Sequence, residues 1–336
     1  MALLDQRTVL AMLRAAAEPT RLRILALLTQ GELSVKDLTR ILNQSQPRIS
    51  RHLKLLLEAG LVDRVRDGSW AYFQLVAHGD HGRLADALLD VVDPLDPVLE
   101  RDRSRAEMVK REREVAAQSY FQTNAPEWDH IRSLHVTEDE VEAAVCRALG
   151  NGPFRLLVDL GTGTGRMLEL LSGHYERAVG FDINHSMLAY ARSKLERANI
   201  REASVRHGDL YDVALSGGSA DAVVMHQVLH FLTEPAHAIQ QAARILAPGG
   251  RLIIVDFAPH EMEFLRETFA HERLGFSHAQ MAQWLTETGL ELTGTDDLVP
   301  ATRGKEGKLT VSVWTAVRPA LANLSTAGES RKRVDA

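Results

Sequence analysis

The chain has 336 residues, of which 45% are hydrophobic and 25% are charged, and it contains one cysteine. This length exceeds one ordinary domain of about 100 to 200 residues, so two or more hydrophobic cores are expected. One cysteine excludes an intrachain disulfide framework and a thiolate metal cluster built within one chain. No stretch approaches the roughly 18 apolar residues of a membrane span, and a cytoplasmic protein without a membrane partner is expected.

Formal charge is divided unevenly along the chain. Residues 1–76 contain eleven Lys or Arg against seven Asp or Glu, a balance of +4, whereas the whole chain carries −6. A positive N-terminal segment is compatible with a nucleic-acid partner, although an ordinary mixed, solvated surface can have the same balance.

The first sixty residues predict four helices. Apolar residues recur at helical spacing in "VLAMLRAAAEPTRLRILALLTQG", where Pro19 begins a second helix and Gly31 ends it. A third helix opens at Ser34, and Asp37 follows three residues later in a capping pattern. A fourth helix, "QPRISRHLKLLLEAG", ends at Gly60.

A hairpin follows, because "LVDRVRDGSWAYFQLV" alternates around an Asp-Gly turn. Helix, turn, helix and hairpin predict a winged helix-turn-helix domain over residues 1–90, in which the fourth helix presents its first turns to the major groove and the hairpin reaches phosphates. The predicted DNA-contacting residues are Gln46, Arg48, Ser50 and Arg51 on the helix and Arg64 and Arg66 on the hairpin. The leucines expected to pack inward are Leu53, Leu55, Leu56 and Leu57. A small helical protein–protein module has the same periodicity and is the alternative.

The run from "AAAEPTRLRIL" to "GSWAYFQL" resembles the DNA-binding domain of the ArsR family of bacterial repressors. The resemblance implies a homodimer on palindromic double-stranded operator DNA. Many family members sense metals or arsenite through a Cys-Val-Cys that here reads Ser34-Val35-Lys36, and no metal is expected there because lysine and serine are poor ligands for a soft ion. Other family members bind metal through Asp and His residues on the last helix of the domain. The candidates for such a site here are His78, Asp80, His81 and Asp90. The preferred interpretation is that these residues form the start of a solvated helix.

Residues 91–150 predict a helical linker. Two Asp-Pro steps interrupt helix, and a densely charged helix then runs from about Val98 to about Tyr120 with alternating signs typical of a solvated spacer. Phe121 and Trp128 add aromatic rings beyond its end. These rings either pack the helix onto the next domain or form a lid over its ligand, and the lid is preferred because a cofactor pocket needs a wall that excludes water.

Residues 151–318 predict a doubly wound α/β domain. "RLLVDL" is typical of a buried parallel strand, and it leads into Gly161, Gly163 and Gly165, where backbone can approach a ligand at a helix N-terminus. A second strand ends at Asp182, whose carboxylate can accept both ribose hydroxyls. Three more strands follow in "SVRHGDL", "ADAVVMHQVL" and "APGGRLIIVDF", and "GLELTGTDDLV" with "KLTVSVWTAVR" predict a final hairpin.

A dinucleotide site expects a third glycine where Arg166 stands. The whole set resembles instead a class I S-adenosylmethionine-dependent methyltransferase with a Rossmann-like fold. The resemblance implies S-adenosylmethionine or S-adenosylhomocysteine as the ligand, and a Rossmann-like domain without a cofactor is the alternative. The implied cofactor residues are Asp159, Gly161, Thr162 and Gly163 in the loop at the methionine moiety, Asp182 at the ribose, Ile183, Met187, Asp209 and Leu210 around the adenine, His226 near the sulfur and Tyr120 in the lid.

Catalytic residues stay unknown, because methyl transfer needs little beyond alignment of a nucleophile with the methyl group and sometimes a base. A base could stand at His226 or His230, although a histidine in "VLHFL" often packs in a core. His271 and His278 are expected in a helical cover over the substrate side. With one cysteine, an arsenic methyltransferase is not expected, because the known families use several thiolates.

Two functions therefore remain. The preferred one is a transcriptional regulator in which the nucleoside ligand changes operator affinity, because the fused layout with "AAQSYF" and "RSLHV" resembles homocysteine-nucleoside-responsive regulators of methionine and methyl-cycle genes. The alternative is an active small-molecule methyltransferase with an attached DNA-binding domain. Residues 319–336 are polar and rich in small side chains, so a disordered tail is expected.

Overall fold

A computed structural model describes residues 4–67, 70–76, 79–124, 138–299 and 309–320. The chain forms two compact units. The N-terminal unit comprises Met1–Thr123, His230–Pro235 and Pro259–Gly275, and the C-terminal unit comprises Asn124–Leu229, Ala236–Ala258 and Phe276–Ala336. The N-terminal unit thus includes two short segments from the second half of the sequence. The predicted limits at residues 90, 150 and 318 stay a prediction. No helix among the described residues is long and apolar enough to cross a membrane.

The N-terminal unit contains the predicted winged helix-turn-helix. Its elements are α1 Gln6–Ala16, α2 Pro19–Leu28, β1 Leu33–Ser34, α3 Val35–Leu42, α4 Gln46–Glu58, β2 Val62–Asp67, β3 Trp70–Leu75, α5 Gly79–Asp90 and α6 Pro97–Asn124. Strand β3 lies between β1 and β2 in an antiparallel sheet. We call the β2–β3 hairpin the wing.

The helix boundaries follow from local capping chemistry. Pro19 occupies the first position of α2, where a missing N–H is harmless, and the Glu18 carboxylate accepts from the backbone N–H of Arg21 at 2.9 Å. Ser34 and Asp37 form a reciprocal capping box at the start of α3. Asn43 ends α3 in a left-handed conformation with φ of 52°. The predicted helices are therefore confirmed.

Helix α4 corrects one packing expectation. Leu53 and Leu56 are buried, but Leu55 and Leu57 are each 39% exposed. Since successive helical residues are rotated by about 100°, residues three apart share a face while their neighbours turn away from it. The inward face is narrower than predicted.

Helix α6 also differs from the solvated spacer that its alternating charges predict. Arg23 of α2 donates two hydrogen bonds to Asp102, at 2.6 and 2.7 Å, and Asp102 is almost fully buried. Val109 is buried in the hydrophobic core of the N-terminal unit. A guanidinium of Arg105 donates to the carbonyl of Ile41 at 3.1 Å. The first half of α6 is thus an integral part of this unit.

The C-terminal unit is built on a seven-stranded sheet. The elements that follow α6 in the chain are α7 Glu138–Leu149, β4 Leu157–Leu160, α8 Arg166–Leu170, β5 Ala178–Asp182, α9 His185–Arg197, β6 Ala203–His207, β7 Ala220–His226, α10 Pro235–Ile245, β8 Leu246–Phe257, α11 Phe264–Thr268, α12 His278–Glu287, β9 Glu291–Leu298 and β10 Val311–Val317. Of these, α11 lies in a segment of the N-terminal unit.

The strand order is β6-β5-β4-β7-β8-β10-β9. Strands β6, β5, β4, β7 and β8 run parallel to one another. Strand β10 pairs antiparallel with both of its neighbours, β8 and β9. The order reverses at β4, so a crevice opens at the carboxyl ends of β4, β5 and β7. The predicted doubly wound sheet and the final hairpin are confirmed.

Candidate nucleoside site and DNA-reading face

The glycine-rich loop follows β4 and depends on backbone conformations that favour glycine. Gly161, Gly163 and Gly165 have φ values of 78°, 50° and 79°. A side chain at Gly161 would also collide with Val228, because an added Cβ would lie 2.3 Å from its Cγ2 atom. The loop therefore keeps its path along the strand ends because it carries no side chains at these points.

Neighbouring strands hold this loop in place. The backbone N–H groups of Gly161 and Thr162 both donate to the carbonyl of Phe181 at 2.9 Å, at the end of β5. The Thr162 hydroxyl donates to Oδ2 of the buried Asp159 at 2.6 Å. Thr162 also packs against Gly180, where an added Cβ would meet its Oγ1 atom at 2.5 Å. Asp159 thus acts on the loop through Thr162.

Asp182 stands where the loop and the end of β5 meet. Its Oδ2 accepts from the N–H of Gly163 at 2.9 Å, and its Oδ1 accepts from the N–H of Asn184 at 2.8 Å. Burial raises the pKa of Asp182 above its ordinary value, and the two backbone donors oppose that rise. A carboxylate has about four acceptor positions, so Asp182 can accept further hydrogen bonds such as those of ribose hydroxyls.

The predicted adenine residues divide into two groups. Ile183 is 40% exposed just beyond β5, and Asp209 is exposed beyond β6, with its Oδ1 accepting from the N–H of Tyr211 at 2.9 Å. Met187 and Leu210 are buried. Because β5 and β6 are parallel neighbours, all four follow strand ends on one edge of the sheet.

The predicted histidines belong to different units of the chain. His226 ends β7 and is buried in the C-terminal unit, whereas His230 and His271 lie in the N-terminal unit with ring centroids 4.2 Å apart. His278 begins α12, where its Nδ1 accepts from Trp314 Nε1 at 2.9 Å and its Nε2 lies 3.1 Å from Asp297. Both ring nitrogens of His278 therefore contact the β9–β10 hairpin. This engagement does not favour the expected role of His278 in a helical cover over the substrate. The side chain of Tyr120 and all of Trp128 lie outside the described residues.

The DNA-reading face of α4 is polar where the sequence predicts it. Gln46, Arg48, Ser50 and Arg51 are all exposed on its first two turns, while Ile49 between them is buried. On the wing, Arg64 is exposed, and the side chain of Arg66 lies outside the described residues. This arrangement presents cationic and hydrogen-bonding groups from one helix and one adjacent strand, as groove and phosphate contacts require.

Two sequence families match these two parts of the chain. The bacterial regulatory protein, arsR family, matches residues 18–64, and the methyltransferase domain family matches residues 158–254. An arsenic resistance transcriptional regulator of Pseudomonas putida is 43% identical over 101 residues, which cover 29% of this chain and 77% of the relative. A demethylmenaquinone methyltransferase of Deinococcus radiodurans is 32% identical over 179 residues, which cover 50% of this chain and 70% of the relative. The chain joins an arsR-family DNA-binding domain to a class I methyltransferase domain.

Solved structures agree on the fold of the methyltransferase domain. A chain from the complex between the Haloferax volcanii Trm112 methyltransferase activator and a methyltransferase superposes with a TM-score of 0.50 at 21% identity, covering 59% of this chain and 97% of that one. The chain spans about half the length of other curated relatives, 53% of one and 54% of another, and 32% of an arsenite methyltransferase of Aquipseudomonas alcaligenes.

In the arsR-family domain, Ser34 and Asp37 cap the start of α3. The Ser34 hydroxyl donates to Asp37 at 2.7 Å, and the N–H of Ser34 donates to the same carboxylate oxygen at 2.9 Å. Among the second set of metal candidates, Asp80 accepts from Arg83 at 3.2 Å, and His78 lies outside the described residues. The absence of a metal stays a prediction.

In the methyltransferase domain, sequence reasoning missed the role of Arg166. Its guanidinium donates two hydrogen bonds to Glu142 of α7, at 2.6 and 2.7 Å, and a third to Glu169 at 2.8 Å. Hydrogen bonding to Glu142 raises the pKa of Arg166 further above its ordinary value. The sequence does show an arginine at the position where a dinucleotide loop has its third glycine. It does not show the ion pair, because Glu142 lies 24 residues before Arg166. Arg166 fixes the start of α8 to α7.

Proposed function

We propose that this protein is a transcriptional regulator in which S-adenosylmethionine or S-adenosylhomocysteine, bound by the methyltransferase domain, changes the affinity of the arsR-type domain for operator DNA. The observation that carries the proposal is the Asp182 carboxylate held against the glycine loop in the same chain as a polar recognition helix. The regulated genes that the proposal names are those of methionine and methyl-group metabolism.

The chemistry of the strand ends supports the choice of ligand. Asp182 offers acceptors for a vicinal diol, and Ile183 offers an exposed apolar side chain one residue later. Gly161 and Gly163 are half-buried and have no side chain, so a polar amino-acid tail could approach the backbone of the loop. A diol, a flat apolar ring and an amino-acid tail are the three parts of an adenosyl amino acid, so the residues fit the proposed ligand.

The residues around the arsR-type capping box argue against the alternative signal, a thiophilic metal. The position of the thiolates holds Ser34 and Lys36, and Ser34 is engaged in capping α3. Burial raises the pKa of Cys146, the one cysteine of the chain, which disfavours the thiolate that binds a soft metal. A nucleoside signal is the better match to these side chains.

Operator control requires a coupling free energy between the ligand and DNA. For each tenfold change in DNA affinity, the ligand must bind one conformation of the protein more tightly than the other by about 1.4 kcal/mol. In our proposal the arrangement that changes is that of a homodimer, since spacing between two recognition helices sets affinity for a palindrome. Tyr120, in the C-terminal part of α6, would close on the ligand, and Tyr120→Ala is expected to weaken both ligand binding and regulation.

The proposal is tested by fluorescence anisotropy of the purified protein on DNA from upstream of its own gene. Titrations with S-adenosylmethionine and with S-adenosylhomocysteine are made separately at fixed salt, because protein–DNA affinity depends steeply on salt. A ligand-dependent shift of at least about fivefold in DNA affinity is expected. Unchanged DNA affinity with ligand bound, checked by calorimetry on the same sample, would refute the sensor.

The second candidate is an active small-molecule methyltransferase with an attached DNA-binding domain. It is supported by the Deinococcus radiodurans relative, which is named a demethylmenaquinone methyltransferase. S-adenosylmethionine, when bound, would supply an activated methyl group, and the candidate base in this proposal is His226 at the end of β7. Release of S-adenosylhomocysteine in the presence of quinols or other small nucleophiles, abolished by Asp182→Ala, would favour this candidate.

A further inference from the structure

Two segments of the chain connect the ligand edge of the methyltransferase sheet to the DNA-binding unit. Strand β7 ends at His226 and strand β8 ends at Phe257, both at the carboxyl edge where ligands of such sheets bind. Immediately afterwards, His230–Pro235 and Pro259–Gly275 belong to the N-terminal unit. The backbone is therefore continuous over a few residues from these strand ends into the unit that carries the recognition helix.

The two segments are tied to each other inside the N-terminal unit. The backbone N–H groups of Glu272 and Arg273 both donate to the carbonyl of His230, at 2.8 and 3.0 Å. The Arg273 guanidinium also donates to the carbonyl of Thr233 at 3.3 Å. The two segments are thus hydrogen-bonded to each other, and we call them together the strap.

Arg273 joins the strap to the winged helix. Its guanidinium donates to Glu32 at 2.7 Å, and it stacks over the ring of Tyr72 with Cζ 3.8 Å from the centroid. The side chain of Arg273 is only 3% exposed and that of Glu32 is 13% exposed, so water screens this pair weakly. The Tyr72 hydroxyl adds a hydrogen bond to a carboxylate oxygen of Glu272 at 3.2 Å.

The two partners of Arg273 lie at the elements that position DNA-reading groups. Glu32 comes directly before β1, whose Ser34 caps α3 of the helix-turn-helix. Tyr72 lies in β3, opposite Ser34 on one side and Val65 of the wing on the other. One guanidinium therefore holds both the start of the helix-turn-helix and the wing.

A second link joins the strap to α6. Lys110 donates to Glu234 at 2.8 Å, with about a third of the lysine side chain exposed. This pair is weaker than the Arg273 pair because water reaches both partners. Its position nevertheless means that the strap bears on the long helix as well as on the wing.

We infer that Arg273 is the positioning residue that couples ligand state at the carboxyl edge of the methyltransferase sheet to the conformation of the wing and helix-turn-helix. The inference rests on the proposed sensor function and names the route of its regulation. A guanidinium suits this role because its planar fork and ring stacking fix direction, which a lysine ammonium does not. Arg273 acts through Glu32 and Tyr72 and is assigned no contact with ligand or DNA.

The test compares ligand-free and ligand-saturated DNA affinity in a set of variants of the full chain, with S-adenosylhomocysteine and S-adenosylmethionine as probes. Glu32→Gln combined with Arg273→Gln removes the ion pair without leaving a buried charge unpaired, and Arg273→Lys retains the charge without the fork. Arg83→Gln is the matched control, since Arg83 lies in the same unit on α5 and forms an ion pair with Asp80, three residues earlier. Circular dichroism and calorimetric ligand affinity are measured for each variant.

For wild type and Arg83→Gln we expect the same ratio of the two DNA affinities, at least about fivefold. For the double variant we expect a ratio below about twofold, with ligand affinity within about threefold of wild type, and for Arg273→Lys an intermediate ratio. A purely structural role would lower both DNA affinities or the folded fraction and leave their ratio unchanged. An unchanged ratio in the double variant would overturn the coupling role alone, whereas a ratio of one in wild type would overturn the sensor and the coupling role together. Should the double variant not fold, Arg273→Lys decides between the same outcomes.

Discussion

Gly161→Ala is the substitution whose effect is most directly set by the loop geometry. The residue has φ of 78°, where an L side chain costs about 1–2 kcal/mol. Its Cβ would lie 2.3 Å from Cγ2 and 2.8 Å from Cβ of Val228, an overpacking that costs about 1–3 kcal/mol after relaxation. The two contributions together predict destabilisation of the C-terminal unit by about 2–5 kcal/mol.

Urea unfolding followed by tryptophan fluorescence measures this change, because Trp284 and Trp314 are buried in the C-terminal unit. Thermal unfolding gives a second reading, at about 2–4 °C per kcal/mol for a unit of this size. Gly173→Ala is the matched control, since an added Cβ there meets no atom within 4 Å and the residue is not among those with positive φ. The control is expected to stay within about 0.5 kcal/mol of wild type.

A double-mutant cycle separates strain from collision. Val228→Ala removes the two methyl groups, which would lie 2.3 and 3.2 Å from the new methyl group at position 161, but it keeps the Val228 Cβ at 2.8 Å. In the double variant the backbone strain and this smaller remaining contact should therefore persist. We expect a favourable coupling energy of about 1–3 kcal/mol between the two substitutions. If Gly161→Ala is no more destabilising than Gly173→Ala, or if the two substitutions are additive, the steric account of the loop is wrong.

Three further predictions test other parts of the molecule. Arg64→Ala should weaken DNA binding similarly on all sequences and lower the salt slope of log affinity by about one, as loss of a phosphate contact requires; unequal losses across operator variants would indicate base reading instead. Asp102→Ala should lower the free energy of unfolding of the N-terminal unit by about 3 kcal/mol in urea unfolding, because the Arg23 charge is left without its partner. A decrease below about 1 kcal/mol would support the original interpretation of α6 as a solvated spacer. Asp221→Asn should lower the stability of the C-terminal unit slightly at pH 7, where the exposed Arg155 is hydrogen-bonded to the carboxylate. Partial burial favours a higher pKa for Asp221, but hydrogen bonds from Arg155 and the backbone bring the pKa below its ordinary 3.8, so this stability is present above that value and is lost as pH falls through the folded pKa. Urea midpoints of wild type and Asp221→Asn should therefore converge in acid, and a constant difference would contradict the sign.

The sequence by itself determined the helices of the winged domain, the glycine loop, Asp182 at the end of its strand and the terminal hairpin. Each of these depends on residues close together in the chain. The capping box at Ser34 and Asp37 spans four residues, and the loop at Gly161 follows its strand directly. Local backbone energetics and hydrophobic period are legible in such short windows.

Packing on α4 and α6 was decided by tertiary structure. Charge alternation along α6 predicts solvent on all sides, yet Asp102 meets Arg23 from 79 residues earlier. Leu55 and Leu57 are the same residue type as Leu53, but Leu53 is buried and the other two are exposed to solvent. A sequence window records which residues are apolar or charged, whereas the direction each one faces depends on which element packs against the helix.

The strap, too, was decided by tertiary structure and could not be predicted from the sequence. Arg273 and Glu32 are 241 residues apart, and neither stands in a motif that announces a partner. Their pairing is possible because Pro259–Gly275, which follows β8 in the chain, belongs to the N-terminal unit. Local patterns specify each domain by itself, but the route between the domains is set by long-range burial and charge pairing, which only the folded chain brings together.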